Sequence, residues 1–225
     1  MLKFSQYLKL NLANQMNLVS WELDLYNDLV MLVELNTALS VFTYLSYVSS
    51  NKWYQKLNHW GALELLWTLF PVSVLVVLGC PSLKMLYMQE LYQFSSNLSV
   101  KVLGYQWYWS YDFLEWSVSL DSFPKMFSNL YRLGESELLV LPVSFNIRLL
   151  ISSEDVIHSW TIPSLGVKMD ATPGRLNFIN ILNNQPSKFI GQCSELCGNF
   201  HSWMPIYVEF SSTNIFIEWC KIYKI

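Results

Sequence analysis

The chain has 225 residues, of which 52% are hydrophobic and 14% are charged, and its formal net charge is −3 at pH 7. This composition is too apolar for an ordinary soluble protein, and the slight negative charge argues against a nucleic-acid partner. The four cysteines are too few for a disulfide-stabilised scaffold.

The first 28 residues contain both lysines and acidic residues. They show no small-residue cleavage site of a secretory signal, and they lack the arginine-rich, acid-poor composition of a transit peptide. Residues 1–28 are therefore expected to form an N-terminal lead-in.

Two apolar stretches that follow are long enough to span a bilayer. Leu29–Val48 contains a single charge, Glu34, and Leu65–Leu83 contains none. We expect residues 29–90 to form a transmembrane helical hairpin, with a pair of buried helices in a soluble domain as the alternative. Glu34 is expected to pair with another subunit or with Asn36.

The polar loop between the two stretches carries Lys52 and Lys56. Loops on the inner side of a membrane are enriched in basic residues, so this loop is predicted to lie inside. Both ends of the chain and the whole C-terminal part then lie outside.

Residues 91–225 have the pattern of a β-rich domain. From residue 105 to 112 apolar and polar residues alternate, which predicts one strand with Tyr105, Trp107, Trp109 and Tyr111 on the same face. Further short strands, separated by Pro, Gly and Asn turn signals, are predicted over Glu137–Leu141, Phe145–Ile151, Val156–Ile162, Leu176–Leu182, Lys188–Gly191 and Ile206–Phe210. Many short strands indicate a sandwich or barrel, and Ser211–Thr213 is predicted to cap a final short helix.

A run near the C-terminus carries soft metal ligands. Cys193, Cys197, His201 and Met204 follow a C-x3-C-x3-H-x2-M pattern, and His158 adds a second imidazole upstream. A disulfide would leave the histidine and the methionine without a role, whereas zinc would use two cysteines and two histidines. Copper would also use the methionine, and the second cysteine suggests two coppers bridged by two thiolates. The pattern favours copper over zinc.

The run Gln192–Pro205 resembles the binuclear copper loop of the cytochrome c oxidase subunit II family. Ser152–Trp160 is similar to the segment that carries the family's first copper histidine, and Gln106–Tyr111 is similar to its aromatic signature. Pro81–Tyr87 resembles the end of its second membrane helix, so the resemblance extends from about Glu64 to Pro205. It implies a membrane-anchored α+β chain with two N-terminal transmembrane helices and a cupredoxin-like Greek-key β-barrel.

The resemblance also assigns a role to particular residues. The implied copper ligands are His158, Cys193, the backbone carbonyl of Glu195, Cys197, His201 and Met204. The carboxylate of Glu195 would reach a magnesium ion shared with the catalytic subunit. Trp107 would receive the electron from cytochrome c, and Glu64 would lie near a proton path. Tyr105 departs from the family, which usually has histidine there.

The function implied is acceptance of electrons from cytochrome c at two copper ions. They would pass to haem in the catalytic subunit I, where dioxygen is reduced to water and protons are pumped. A set of acidic residues would attract the lysines of cytochrome c; they are Asp112, Glu115, Glu135, Glu137, Glu154 and Asp155.

The expected surroundings are membrane lipid and the other oxidase subunits. The expected location is the mitochondrial inner membrane, with the copper domain in the intermembrane space; a bacterial plasma membrane is the alternative. Quinol oxidases keep this fold without the copper ligands, and nitrous oxide reductase has a similar copper loop without two membrane spans. A zinc-stabilised, membrane-anchored binding domain is the alternative from a different functional class.

Overall fold

The computed structural model describes residues 15–51, 60–91, 95–125 and 135–224. The chain forms two compact units. Among the described residues, the first unit spans Glu22–Met88, and the second combines the segment up to Trp21 with the chain from Gln89 onward.

Two long helices supply most of the first unit. Helix α1 covers Leu18–Ser50 and helix α2 covers Gly61–Leu91. The mean hydropathy of their most apolar windows is 1.5 and 2.1, and no part of either window is buried in the protein. Because an apolar helix in a soluble core would be covered by its neighbours, this exposure fits two membrane spans and not the buried-pair alternative.

Helix α1 begins well before the predicted start at Leu29, since the first helical residue is Leu18. The reason is a local cap: the backbone N–H of Ser20 donates to Oδ1 of Asn17 at 2.8 Å, and the N–H of Asn17 donates to Oγ of Ser20 at 3.2 Å. Such a reciprocal pair satisfies N–H groups that the first helical turn leaves free. Residues 18–28 of the predicted lead-in are therefore helical, and residues 1–14 lie outside the described part of the chain.

The same segment is attached to the β domain within the second unit. The backbone N–H of Met16 donates to the carbonyl of Ser164 at 3.2 Å. Nδ2 of Asn17 donates to the carbonyl of Leu165 at 3.0 Å. The start of α1 is thus fixed to a loop of the β domain by two hydrogen bonds.

Three charged residues of the hairpin have defined positions. Lys84 of α2 pairs with Glu22 of α1, with Nζ and Oε1 3.2 Å apart. Glu64 is exposed in the first turn of α2, where a negative charge suits the helix dipole. Glu34 is exposed and forms no ion pair with any described residue, nor a side-chain hydrogen bond with Asn36. The loop lysines, Lys52 and Lys56, lie outside the described residues.

The β domain contains twelve strands among the described residues. They are β1 Leu98–Tyr105, β2 Tyr108–Phe113, β3 Val118–Ser122, β4 Pro124–Lys125, β5 Glu135–Ser136, β6 Leu139–Pro142, β7 Ile147–Ser153, β8 His158–Ile162, β9 Val167–Ala171, β10 Asn177–Ile181, β11 Ser187–Gln192 and β12 Pro205–Ser211. All six predicted runs contain a strand, with boundaries shifted by up to two residues at either end. Strands β1, β3, β4, β5 and β9 were not among the predicted runs.

The strands form a cupredoxin-like β-sandwich. One sheet has the order β10-β7-β1-β2-β3, a second has the order β11-β12-β6, and β8 pairs with β9. The pairs β1–β7 and β6–β12 are parallel, and the others are antiparallel. In β7 alternate residues, Ile147, Leu149 and Ile151, are fully buried. Burial of each such side chain contributes about 1.5–3 kcal/mol, so the facing sheets form a substantial core.

The predicted strand over residues 105–112 is wrong, because this region is a hairpin. Strand β1 ends at Tyr105, Gln106 and Trp107 form the turn, and Tyr105 pairs with Tyr108 at the start of β2. The turn contains neither Gly nor Pro, and aromatic residues recur on both sides of it, so the alternation continues across a reversal of the chain. Trp109 is fully buried, whereas Trp107 lies half-buried at the turn.

The domain ends with helix α3, Thr213–Ile222. Ser212 occupies the cap position with an extended backbone, but its side chain makes no capping hydrogen bond, unlike the prediction. Phe216 and Cys220, one turn apart, are buried against the core. Burial raises the pKa of the Cys220 thiol to about 11, which agrees with an unreactive structural cysteine.

Candidate metal centre

His158 is the first residue of β8 and is completely buried. Its ring packs against the backbone of Gly104 in β1. A Cβ atom on Gly104 would lie 2.9 Å from Cδ2 of His158, so only glycine leaves room for the imidazole. The ring of Trp109 meets His158 edge-on at 5.8 Å between centroids. The β-sheet therefore fixes the position of this imidazole without any metal.

Asp155 fixes the orientation of the same ring. Its Oδ1 lies 2.9 Å from Nε2 of His158, and since a carboxylate only accepts, Nε2 must carry the proton. The other nitrogen, Nδ1, faces Sγ of Cys193 at 3.8 Å. A carboxylate that holds the outer nitrogen of a histidine is the common support of histidine metal ligands. His158 thus presents Nδ1 to the cysteines.

Both cysteines point into the same space. Cys193 follows β11, where its N–H donates to the carbonyl of Met204 at 3.1 Å and the N–H of Ser194 donates to the carbonyl of Ser159 at 3.0 Å. The Sγ atoms of Cys193 and Cys197 lie 3.9 Å apart, and both residues are buried, free thiols. A disulfide needs a sulfur–sulfur distance of about 2.05 Å, so the disulfide interpretation is not supported.

The remaining predicted ligands lie in the same loop. Nδ1 of His201 is 3.6 Å from Sγ of Cys197, and His201 begins a 3₁₀ turn that ends at Trp203. The carbonyl oxygen of Glu195 is 3.4 Å from Sγ of Cys193. Met204 is buried and its carbonyl holds Cys193 in place.

The pKa values of the two thiols are shifted in opposite directions. Burial opposes ionisation of Cys193, but its hydrogen bonds with His158 and with the backbone at Glu195 and Ser159 lower its pKa to about 6. Burial and the nearby charge of Cys193 raise the pKa of Cys197 to about 12. Burial also disfavours the charged form of His158, but Cys193 and Asp155 outweigh this and raise its pKa. Cys193 therefore favours the thiolate, which is the form of cysteine that binds metals.

This donor set suits copper. His158, Cys193 and Cys197 present ligand atoms that all lie within 4.8 Å of one another. Two sulfurs and two imidazoles would satisfy one tetrahedral zinc, but that leaves the buried thioether and the carbonyl of Glu195 unused. Copper accepts thiolate, imidazole and a weak axial thioether or backbone oxygen, so it uses the whole set.

Trp107 and Gln106 reach the metal loop from the hairpin turn between β1 and β2. Nε1 of Trp107 donates to the carbonyl of Cys197 at 3.3 Å, and its indole meets the ring of Phe200 edge-on at 4.8 Å. Nε2 of Gln106 donates to the same carbonyl at 2.8 Å. The structure thus brings the predicted Trp107 to the centre, and it adds Gln106, which the sequence analysis did not single out.

Gly104 was also missed, although a signal for it exists. A glycine inside a strand often marks a close backbone approach, and Gly104 lies inside β1. Gln106 carries no comparable signal, since an isolated glutamine in a turn is usually solvated.

The predicted docking acids differ in their surroundings. Asp155 is occupied by internal hydrogen bonds from His158, Val156 and the N–H of Gln106. Glu115 accepts from the N–H of Ser99 at 3.0 Å, and Glu137 pairs with Lys125 at 3.2 Å.

The structure describes the side chains of two of the other three acids, and neither forms a side-chain hydrogen bond with a described residue. Glu154 is exposed, with no side-chain hydrogen bond to any described residue, and Asp112 is half-buried on β2. The side chain of Glu135 lies outside the described part of the chain. Glu154 is therefore the acid with the most accessible charge of the described set.

Family models and relatives that match most of the chain belong to the same family. The family model described as cytochrome c oxidase subunit II, periplasmic domain, matches residues 98–211, and that of the transmembrane domain matches residues 9–85. Cytochrome c oxidase subunit 2 of Rhipicephalus sanguineus is 48% identical over 161 residues, which cover 69% of this chain and 71% of that protein. Subunit 2 of Aedes aegypti is 39% identical over 217 residues, which cover 93% and 95%.

A solved structure shows the same fold. The periplasmic domain of cytochrome oxidase subunit II from Bradyrhizobium japonicum superposes with a TM-score of 0.55 and is 37% identical. The match covers 57% of this chain and 94% of that domain. Together with the thiol and imidazole cluster, these similarities show that the chain belongs to the cytochrome c oxidase subunit II family and is a subunit of a haem-copper oxidase.

Proposed function

We propose that His158, Cys193, Cys197, His201, Met204 and the carbonyl of Glu195 hold two copper ions. Copper held there would supply one-electron redox chemistry, so that electrons from cytochrome c could pass to haem in the catalytic subunit for reduction of dioxygen coupled to proton pumping. The chain's own residues position the ligands, exclude water and connect the centre to the surface.

One observation carries this proposal: the two halves of the ligand set repeat the same pairing. Cys193 has the Nδ1 of His158 at 3.8 Å, and Cys197 has the Nδ1 of His201 at 3.6 Å. The two thiols then face each other at 3.9 Å. A single tetrahedral ion does not require two such units, whereas two ions sharing both sulfurs do.

Trp107 is suited to receive the electron at the surface. It is half-buried at the turn, and its indole is joined to the backbone of Cys197 by a hydrogen bond. A partner that touches this ring is therefore one side chain away from a ligand residue. Glu154, with Asp112 beside the same hairpin, supplies negative charge that complements a lysine-rich surface.

Glu195 has two separate polar groups to offer. Its carbonyl faces Cys193, while its side chain is exposed and forms no hydrogen bond with any described residue. A carboxylate in this position suits a hard cation such as magnesium. The proposed magnesium ion would be shared with the catalytic subunit, which would supply the other ligands.

Glu64 and the location of the protein complete the proposal. Glu64 is an ionisable side chain at the edge of a membrane span, a position where such groups are candidates for a role in proton supply. The tick and mosquito relatives are animal proteins, which supports the mitochondrial inner membrane with the copper domain in the intermembrane space.

Metal analysis of the purified oxidase tests the central claim. We expect two coppers associated with this subunit and an electron paramagnetic resonance signal from one unpaired electron shared by both. Stoichiometric zinc without copper at these residues would overturn the proposal in favour of the zinc-stabilised binding domain. Family membership already disfavours that alternative.

A further inference from the structure

Gln106 touches both sides of the metal centre. Its backbone N–H donates to Oδ2 of Asp155 at 2.6 Å, and Oδ1 of the same carboxylate holds Nε2 of His158. Its side chain reaches the other way, where Nε2 donates to the carbonyl of Cys197 at 2.8 Å. Gln106 thus connects the Asp155 carboxylate with the backbone of Cys197.

The Cys197 side of the centre needs such a support. Between the end of β11 at Gln192 and the start of β12 at Pro205, the chain forms no strand, and a single 3₁₀ turn is its regular structure. The carbonyls of Gly198 and Phe200 accept backbone N–H groups of the turn itself, from His201 and Trp203. The carbonyl of Cys197 receives two donors, from Gln106 and from the indole of Trp107 at 3.3 Å.

The loop is shaped to receive these two side chains. Gly198 has a φ of +119°, a region that L residues rarely adopt. A Cβ atom there would lie 3.1 Å from Nε2 of Gln106 and 3.2 Å from Cζ2 of Trp107. The residue after Cys197 therefore has no side chain at the point where the hairpin turn rests on the loop.

We propose that Gln106 is a positioning residue of the copper centre. It fixes the Cys197 loop against the Asp155–His158 pair, so that the two cysteine–histidine units keep their separation. This inference rests on the proposed copper centre and adds a residue that contacts no ligand atom of the metal. The plain alternative is a solvated turn residue whose side chain could be replaced without effect.

The test is Gln106→Met in the assembled oxidase, because methionine keeps the length of the side chain and removes the donor. Gln185→Met is the matched control, since Gln185 is exposed in another turn and its side chain makes no hydrogen bond in the described structure. Both enzymes are purified with their copper. The rate of copper release to a chelator, the paramagnetic spectrum and the reduction potential are then compared with those of the parent.

We expect Gln106→Met to release copper about tenfold faster and to shift the spectrum, because loss of an outer support commonly costs ten- to a hundredfold in metal affinity. Trp107→Phe removes the second donor to the same carbonyl, so the double variant should deviate from additivity. A release rate and spectrum equal to those of Gln185→Met would overturn the positioning role.

The proposed copper function and the positioning role of Gln106 can be refuted separately. Absence of copper in the parent enzyme would remove the proposed function itself. Two coppers in the parent together with an unchanged Gln106→Met enzyme would leave that function intact and remove only the role of Gln106. Because Gln106 is exposed, its replacement is not expected to unfold the domain, and the content of assembled subunit verifies this.

Discussion

The two halves of the metal centre are held in different ways. His158 and Cys193, the sheet half, are placed by β8 and β11 and by backbone hydrogen bonds to Ser159 and Met204. Cys197 and His201, the loop half, lie in irregular chain that rests on the hairpin turn. The sheet half is therefore fixed by the fold itself, whereas the loop half depends on a few side-chain contacts.

This difference shows where the centre tolerates change. A substitution that forces apart the strands of the sheet half strains the β-sandwich itself, so its effect reaches the stability of the domain. A substitution at the loop half can alter the metal properties of a domain that remains folded. Substitutions in the two halves should consequently separate fold from function.

Gly191→Ala should have the largest effect, because it separates the strands that carry the sheet half. A Cβ at residue 191 would lie 1.9 Å from the carbonyl oxygen of Thr161, so β11 would have to move away from β8. We expect a loss of about 3 kcal/mol or more in the free energy of unfolding, as for severe overpacking. Thermal unfolding and the amount of assembled subunit measure it. Gly61→Ala, which meets nothing within 4 Å, is the control.

Gly104→Ala should remove copper while most of the domain stays folded. The added methyl group would press on the buried ring of His158, with a contact of 2.9 Å to Cδ2 and 3.0 Å to Cγ. A strain of about 1–3 kcal/mol would be relieved by displacement of this imidazole from Cys193. We expect low copper content with nearly normal subunit content. Full copper content with the parent spectrum would show that the sheet half is less rigid than described.

Trp107→Phe probes the loop half from the surface side. Phenylalanine keeps most of the packing on Phe200 but loses the hydrogen bond to the carbonyl of Cys197. We expect copper reduction by cytochrome c to slow roughly tenfold, while two coppers remain bound. Rapid mixing of the variant oxidase with reduced cytochrome c measures this rate. A rate equal to the parent's would leave Trp107 a packing residue.

Met204→Leu should act on the metal and leave partner binding unchanged. The side chain is buried, and a swap of similar volume costs less than about 1.5 kcal/mol. Loss of an axial thioether shifts the reduction potential and the spectrum of a copper site. Potentiometric titration with parallel cytochrome c binding gives both readouts. An unaltered potential would mean that Met204 only fills the core.

The smallest effects are expected from the paired variants Asp155→Asn and Glu154→Gln. Each removes one negative charge, so each should slow cytochrome c association at low salt by a similar, modest factor, and the effect should vanish as salt screens it. Only Asp155→Asn weakens the support of His158, so only it should also shift the copper spectrum. Identical spectra in both variants would assign Asp155 to docking alone.

The membrane helices and most strands could be predicted because their signals are local. Leu65–Leu83 is a continuous apolar run, and β7 alternates buried and half-buried residues along its whole length. The cluster of His158, Cys193 and Cys197 could be predicted because soft metal ligands recur at short spacing around the two cysteines. Apart from His158, each of these features depends on residues that lie close together in the sequence.

The parts that could not be predicted depend on contacts between distant residues. The hairpin at Gln106 lacks turn residues and is held by Asp155, which lies 49 positions further along the chain. The early start of α1 depends on the Asn17–Ser20 cap. The charged residues that follow this cap interrupt the apolar run, so the run alone predicts a later start. The bond between Asp155 and His158 is likewise invisible before the chain folds, so the sequence alone suggests only a docking role for Asp155.

The attachment of Met16 and Asn17 to the loop at Ser164 and Leu165 has a topological consequence. Both ends of the helical hairpin belong to the β domain: the chain leaves it through α1 and returns to it through α2. A segment that begins and ends in the same domain must cross a bilayer an even number of times, whichever basic residues lie in its loop. The two hydrogen bonds of Met16 and Asn17 therefore agree with two membrane crossings, one by each helix.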